Sequence, residues 1–358
     1  MTNYTEKDKL LILFSMCEIP NKKQELMLEC LEDFSIDAVL KGDALEYIST
    51  DEYHRLVSSY DKQTFESALE NMQNNNIKIL TIFSSEYPQR LINLSDRPLI
   101  LYAKGDLSLI GQTAVAIVGT RMPTNYGKLV TDKIAGELAQ SGVVIISGLC
   151  YGVDEIAHRK TLEVGGKTIA VVGSGFQNIY PAINTSLANE IAEKGLLLSE
   201  YYPSFRAKKY TFPLRNRIVA GLSDGVLITE AGIKSGTLHT KEYALEYGKD
   251  VFAVPGNINS PKSELPNQIL KAAQGECVLC AQDILDYYGI KKDEKVKKAV
   301  ELNIDEQTII NLLENGEQDF EFLAIKSKIP VNILNSYLTT LEIRGLIRRL
   351  PGKVYALC

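Results

Sequence analysis

From Tyr201 to Arg217 the chain carries five lysines or arginines and no acid, although its formal net charge is -6. Arg206, Lys208, Lys209, Arg215 and Arg217 are interleaved there with Tyr201, Tyr202, Phe205, Tyr210 and Phe212. Cations neutralise phosphates, and aromatic faces stack on bases with little regard to sequence. The mixture therefore suits an anionic, stackable ligand such as nucleic acid. Lys208 and Lys209 supply point charges. Arg215 and Arg217 have the planar fork that takes phosphate bidentately. Asn216, between them, has an amide that can read or orient a base. Phe212 and Tyr210 offer ring faces. The plainer alternatives are surface arginines at a helix start and, for Phe212, a core anchor beside Pro213.

A second set of candidates follows short apolar runs. Gly119-Thr120-Arg121 comes after residues 114–118, and Ser147-Gly148 after 143–146. Gly173-Ser174-Gly175 follows 168–172, Ser235-Gly236-Thr237 follows 226–228, and Pro255-Gly256-Asn257 follows 251–254. With 196–198, these β-branched runs read as strands buried on both faces of a parallel sheet. The segments between them, such as 128–140, 156–164 and 237–247, have the length of crossover helices. The loops after the strands would then share one rim, where an open α/β sheet binds ligands. Glycine lets backbone N–H groups approach a ligand, and the helix starts behind attract phosphate. Such glycines can also serve only to turn the chain, and a lone Arg121 can equally pair with a carboxylate. Five such loops on one rim favour the ligand reading.

The middle segment is thus expected to be a doubly wound α/β domain. Apolar spacing at Leu10, Leu11, Leu13 and Phe14, then Leu26, Met27, Cys30 and Leu31, then Ala68, Leu69 and Met72, predicts a helical region before it. Residues 306–314, 320–326 and 331–345 read as three helices, and 346–357 as two strands around Pro351-Gly352, together a winged helix-turn-helix. The expected division is 1–75 helical, 76–290 α/β, 291–300 a charged linker and 301–358 winged helix. Net charge partitions as -8 over 1–75, +4 over 76–300 and -2 over 301–358. An anion site therefore belongs to the middle. The third winged-helix segment has only Arg344 as a cation, beside Glu342, which is poor for groove reading and better for a protein contact.

Several classes are disfavoured. Asn178 stands where the third glycine of a dinucleotide fingerprint belongs, and no P-loop pattern occurs. Cys277 and Cys280 form one C-x-x-C without a second pair, and His54, His158 and His239 lie far apart, so no metal site is indicated. No apolar run nears the roughly 18 residues of a membrane span, no signal peptide is evident, and scattered cysteines fit a reducing cytoplasm.

Together the motifs resemble the DprA/Smf family of DNA-processing proteins over nearly the whole chain. The resemblance rests on Gly119-Thr120-Arg121 with Tyr126-Gly127, on Ser147-Gly148 with Tyr151-Gly152-Val153-Asp154 and Ala157-His158, and on Tyr180-Pro181. It continues through the run from Phe212 to Gly221, Glu230-Ala231 with Ser235-Gly236-Thr237-Leu238, and the run from Val251 to Gly256. It implies an extended Rossmann-type core that binds single-stranded DNA, often as a homodimer. It also implies an N-terminal all-α domain like a sterile-alpha-motif or helix-hairpin-helix fold, and a C-terminal winged helix. The implied function is to protect incoming single strands in natural transformation and to load the RecA recombinase, with no cofactor, no catalytic residue and no membrane. The family's rim arginine maps to Arg121. Its basic loop and Arg-Asn-Arg map to Lys208 or Lys209, Phe212, Arg215, Asn216 and Arg217. Cys150, Asn178, His239 and residues 266–276 depart from the family pattern.

The competing class is a nucleotide-processing enzyme of the nucleoside-monophosphate hydrolase type. Related Rossmann folds carry a P-G-G-x-G-T-x-x-E loop. Here Thr240 occupies the glutamate position and cannot supply a carboxylate, leaving Glu230 and Glu242 nearby.

Overall fold

A computed structural model describes residues 4–290, 302–314 and 316–357. The charged segment expected as a linker, 291–300, lies outside the described residues. The chain divides into two compact units, 1–292 and 293–358.

The first unit is built on a nine-stranded sheet. In chain order the strands are β1 (Lys78–Thr81), β2 (Ile100–Gly105), β3 (Ala114–Val118), β4 (Val144–Ser147), β5 (Thr168–Val172), β6 (Leu196–Ser199), β7 (Gly225–Ile228), β8 (Asp250–Ala253) and β9 (Glu276–Cys277). Their spatial order is β1-β2-β6-β5-β4-β3-β7-β8-β9. The pairings from β6 to β9 are parallel, whereas β1–β2 and β2–β6 are antiparallel. The sheet is of the extended Rossmann type, doubly wound. The six apolar runs of the sequence are its β3 to β8. β1, β2 and β9 extend it beyond what those runs predict.

The continuous apolar runs of β3 follow from burial on both faces. Ala114, Ala116 and Val118 pack with Ile218, Val219 and Ala220 of the helix Thr211–Leu222. Val115 and Ile117 point the other way, against Ile134 and Leu138 of the helix Asn125–Gln140. With both faces covered by helices, ligands can approach only at strand ends. β3 pairs with β4 on one side and β7 on the other, so the connections leaving β3 and β7 diverge. That divergence opens a crevice at the carboxyl edge of the sheet.

Before β1 lie the helices Glu6–Met16, Asn21–Cys30, Thr50–Ser59 and Lys62–Asn74. The first begins with a capping box, Thr5 with Asp8. Their core, around Leu10, Leu13, Phe14 and Met27, is shared with Ile79, Ile100 and Tyr102 of β1 and β2. The buried Asp8 carboxylate accepts from Thr81 Oγ1 at 2.5 Å, tying helix to strand. The helical region therefore packs onto the antiparallel margin of the sheet.

The second unit has helices Ile304–Leu313, Phe320–Ser327 and Val331–Ile343 and strands β10 (Gln318–Asp319), β11 (Ile347–Leu350) and β12 (Val354–Leu357). The three strands form one antiparallel sheet ordered β10-β12-β11. Ile309, Leu323, Leu334, Leu338 and Tyr355 make its core. This is a winged helix with β10 added to the expected hairpin.

Candidate nucleic-acid interface

The crevice at the carboxyl edge is a cavity of about 820 Å³ lined from the connections after β3, β4, β5, β6, β7 and β8. Backbone bonds hold its rim together. Thr120 N–H donates to the Glu230 carbonyl at 2.6 Å, and Val153 N–H donates to the Thr120 carbonyl at 3.2 Å. Gly152 has φ of 77°, and a Cβ there would lie 2.5 Å from the Thr120 carbonyl oxygen. Only glycine lets the β4 loop come this close to the β3 loop.

Arg121 is exposed, with its guanidinium carbon 5.4 Å from the Phe212 ring centre. Phe212 in turn lies 5.3 Å from the ring of Tyr180. Phe212 opens the helix Thr211–Leu222, whose first residue anchors it: buried Thr211 Oγ1 donates to the Gly173 carbonyl at 2.7 Å. Asn216 Nδ2 donates to the Gly236 carbonyl at 3.3 Å, joining this helix to the turn after β7. In that turn Ser235 Oγ donates to Thr237 Oγ1 at 3.0 Å. Of the sequence candidates, Gly119, Thr120, Arg121, Lys209, Phe212, Arg215, Asn216, Ser235, Gly236 and Thr237 come together in the lining.

Four candidates do not line it. Ser147 is buried, its Oγ donating to the Ile117 carbonyl at 2.7 Å. Gly148 lies beneath Arg215, whose Nη1 donates to its carbonyl. Lys208 is paired with Glu18 of the N-terminal helical region. Arg217 is 4% exposed, with Nη2 2.5 Å from Glu200 and Nε 3.7 Å from Asp96. The expected pair of phosphate forks at Arg215 and Arg217 is therefore corrected. The helix is buried, and one turn of a helix cannot aim both residues at the same opening, so Arg217 faces the core and stays there only because carboxylates meet it. Arg215 reaches the cavity floor, but its N–H groups are committed to the carbonyls of Gly148 and Val171, to Asn216 Oδ1 at 3.2 Å and to Cys150 Sγ at 3.4 Å.

The floor holds further polar groups. Burial pushes the Asp154 carboxyl above its usual range, partly offset by Arg215, and burial likewise pushes the Cys150 thiol up. Behind them burial, with Arg215, lowers His158 to about 3. Among the described lining residues Asp154 is the only carboxylate, against Arg121, Lys209, Arg215, Lys234 and Lys262. Among the described residues, Arg121, Lys209, Lys234 and Lys262 have no carboxylate within 4 Å. The crevice is cationic, with counter-charge lacking at its mouth.

Tyr180, Lys234 and Lys262 are lining residues outside the candidate set. Lys234 stands beside Ser235 in a loop the sequence singles out. Lys262 comes from the connection between β8 and the helix Glu264–Lys271. The rule that ligands meet the connection after every parallel strand would reach it if followed past Asn257.

Of the two carboxylates a hydrolase would need, Glu230 is occupied and the exposed Glu242 is not among the described lining residues. Glu230 is 1% exposed and accepts from Thr124 N–H at 2.8 Å and Thr124 Oγ1 at 2.6 Å, at the start of the helix Asn125–Gln140. Glu242 pairs with His239 at 3.4 Å. Among the described residues no group of three or more His, Cys, Asp or Glu is arranged to hold a metal, and no helix is long and apolar enough to cross a membrane.

A doubly wound sheet with a cationic, aromatic switch-point crevice, and a winged helix in a separate unit, defines a Rossmann-type protein with the features of a nucleic-acid binder. Residues 78–289 match the family described as DNA recombination-mediator protein A, and 294–353 match the DprA winged helix domain. The chain belongs to the DprA/Smf family of DNA-processing proteins. It is 34% identical to Protein Smf of Escherichia coli (strain K12), over 82% of this chain and 81% of that protein. It is 41% identical to DNA processing protein DprA of Bacillus subtilis (strain 168), over 59% of this chain and 71% of that one. The X-ray structure of DprA from Streptococcus pneumoniae superposes with a TM-score of 0.66 at 31% identity, covering 80% of this chain and 98% of that one. DNA processing protein A from Helicobacter pylori, whose structure is described in terms of its single-stranded DNA binding mode, gives a TM-score of 0.54 at 37% identity, covering 59% of this chain and 95% of that one.

Proposed function

We propose that this protein binds single-stranded DNA in the switch-point crevice and acts as a recombination mediator. It protects incoming single strands during natural transformation and loads RecA onto them, as a homodimer. The observation that carries the binding claim is the set of cations without counter-charge among the described residues, Arg121, Lys209, Lys234 and Lys262, around the adjacent, mutually tilted rings of Phe212 and Tyr180. Phosphates supply the missing charge and bases occupy the rings. The Helicobacter pylori relative supports the same ligand.

The protein works by binding rather than by chemistry. Thr240 lines the crevice where a hydrolase of related fold places its glutamate, and Glu230 is spent on Thr124. The N-terminal helical domain ends at about residue 75, where the strand-binding core begins.

The test is binding of fluorescent oligo-dT against a matching duplex across a salt series. The expected result is preference for the single strand, with affinity that falls steeply as salt rises. Equal affinity for both forms, or release of a base from a nucleoside monophosphate, overturns the reading.

A further inference from the structure

Lys262 differs from Arg121, Lys209 and Lys234, the other lining cations without counter-charge among the described residues, in how its backbone is pinned. Its carbonyl accepts from Ala231 N–H at 2.7 Å, and Leu265 N–H donates to the Ala231 carbonyl at 3.0 Å. Its own N–H donates to Ser260 Oγ at 3.3 Å. Just upstream, Gly256 is bracketed by the Asn267 side chain, which accepts at 3.1 Å and donates at 3.0 Å. The connection from β8 is thereby drawn against the connection from β7.

The half-buried side chain then reaches over the β3 loop, where Nζ donates to Thr120 Oγ1 at 3.3 Å. Thr120 neighbours Arg121, and all three residues line the same crevice. One hydroxyl occupies one of three ammonium donors. No carboxylate lies within 4 Å among the described residues. Lys208, by contrast, has Glu18. A lysine needed only for solubility requires neither a pinned backbone nor a position inside a crevice. One awaiting an anion gains from both, because little freedom remains to be lost on binding.

We propose that Lys262 is a phosphate-binding residue of the crevice, gripping the strand beside Arg121. This rests on the reading of the crevice as a single-strand site.

The test uses the full chain with fluorescent oligo-dT over roughly 50 to 200 mM salt. Lys262→Met keeps the stem and removes the charge. It is expected to weaken binding about tenfold at low salt, and to reduce the steepness of the log–log salt dependence by about 0.7, the share of one phosphate contact on a single strand. Lys262→Arg is expected to retain most of the affinity and the full slope. A lysine that merely supports Thr120 gives a different pattern: Lys262→Met weakens binding with the slope unchanged, which overturns the proposal. Wild-type binding by Lys262→Met alongside weak binding by Arg121→Ala overturns the role of Lys262 and leaves the site standing. Wild-type binding by Arg121→Ala removes the site reading itself, and the proposal with it.

Discussion

At the scale of single residues, the arginines that the sequence marks for phosphate have opposite fates. Arg121, on a rim loop, meets solvent and the Phe212 ring, while Arg217 is buried against Glu200 and Asp96. Removing one partner of a buried pair strands the other, so Arg217→Ala is expected to cost about 3–5 kcal/mol of folding stability in urea unfolding. A loss no larger than that of an exposed arginine contradicts this placement. Phe212→Ala removes a stacking face and should weaken oligo-dT binding by roughly 1–3 kcal/mol. Unchanged affinity in a titration puts the bases elsewhere. His158, behind the floor, is lowered to about 3 by burial and by Arg215. Its unfolded form takes up a proton near pH 6.5, so the unfolded state binds more protons below that pH. Stability is fully present above about 6.5 and falls by roughly 1.4 kcal/mol per pH unit down to the folded value. The check is whether His158→Gln loses this slope between neutrality and mild acid; a slope identical to wild type contradicts it. Residue types revealed the cationic, aromatic chemistry, because charge and rings in an acidic chain are visible without coordinates. They could not reveal which arginine turns inward, since that depends on the direction of each side chain from a helix whose packing face was not yet known.

At the scale of elements, legibility followed the repeated alternation of apolar strand and crossover helix. The runs of β3 to β8 lie between two layers of helices, so they are continuously apolar and stand out. β1 and β2 are also buried, at residues 79–81 and 100–103, but they lie at the antiparallel margin and lack the long crossover helices that mark out the parallel strands, so they do not stand out in the same way. The helix Thr50–Ser59 buries only Glu52 and Leu56, too few positions to show a period. The rim is sensitive to its glycines. Gly152→Ala adds a Cβ at positive φ against the Thr120 carbonyl, and is expected to lower stability by about 1–3 kcal/mol and to weaken oligo-dT binding with it. Wild-type melting and binding contradict the close approach of the β3 and β4 loops. The winged-helix helix Val331–Ile343 carries no lysine or arginine. Ending the chain before residue 302 should therefore leave oligo-dT affinity within about twofold, because few phosphate contacts are lost. A large drop assigns that unit a direct share in binding.

At the scale of the whole molecule, charge and architecture agree. The acidic helical region, net -8 over residues 1–75, packs on the sheet margin, and its Glu18 pairs with Lys208 of the basic loop. The α/β region is close to neutral overall, yet its crevice gathers cations from four separate strand connections, those after β3, β6, β7 and β8. Position along the sequence hid that gathering for Lys262, which is 141 residues from Arg121 yet bonds to its neighbour Thr120. The most direct test is photocrosslinking of an oligonucleotide containing 5-iododeoxyuridine, followed by mapping of the adduct, since this base couples to aromatic side chains it stacks on. The expected adduct lies on Phe212 or Tyr180 and is lost in Arg121→Ala. An adduct confined to the N-terminal helices or to the winged helix contradicts the crevice as the site of single-strand binding.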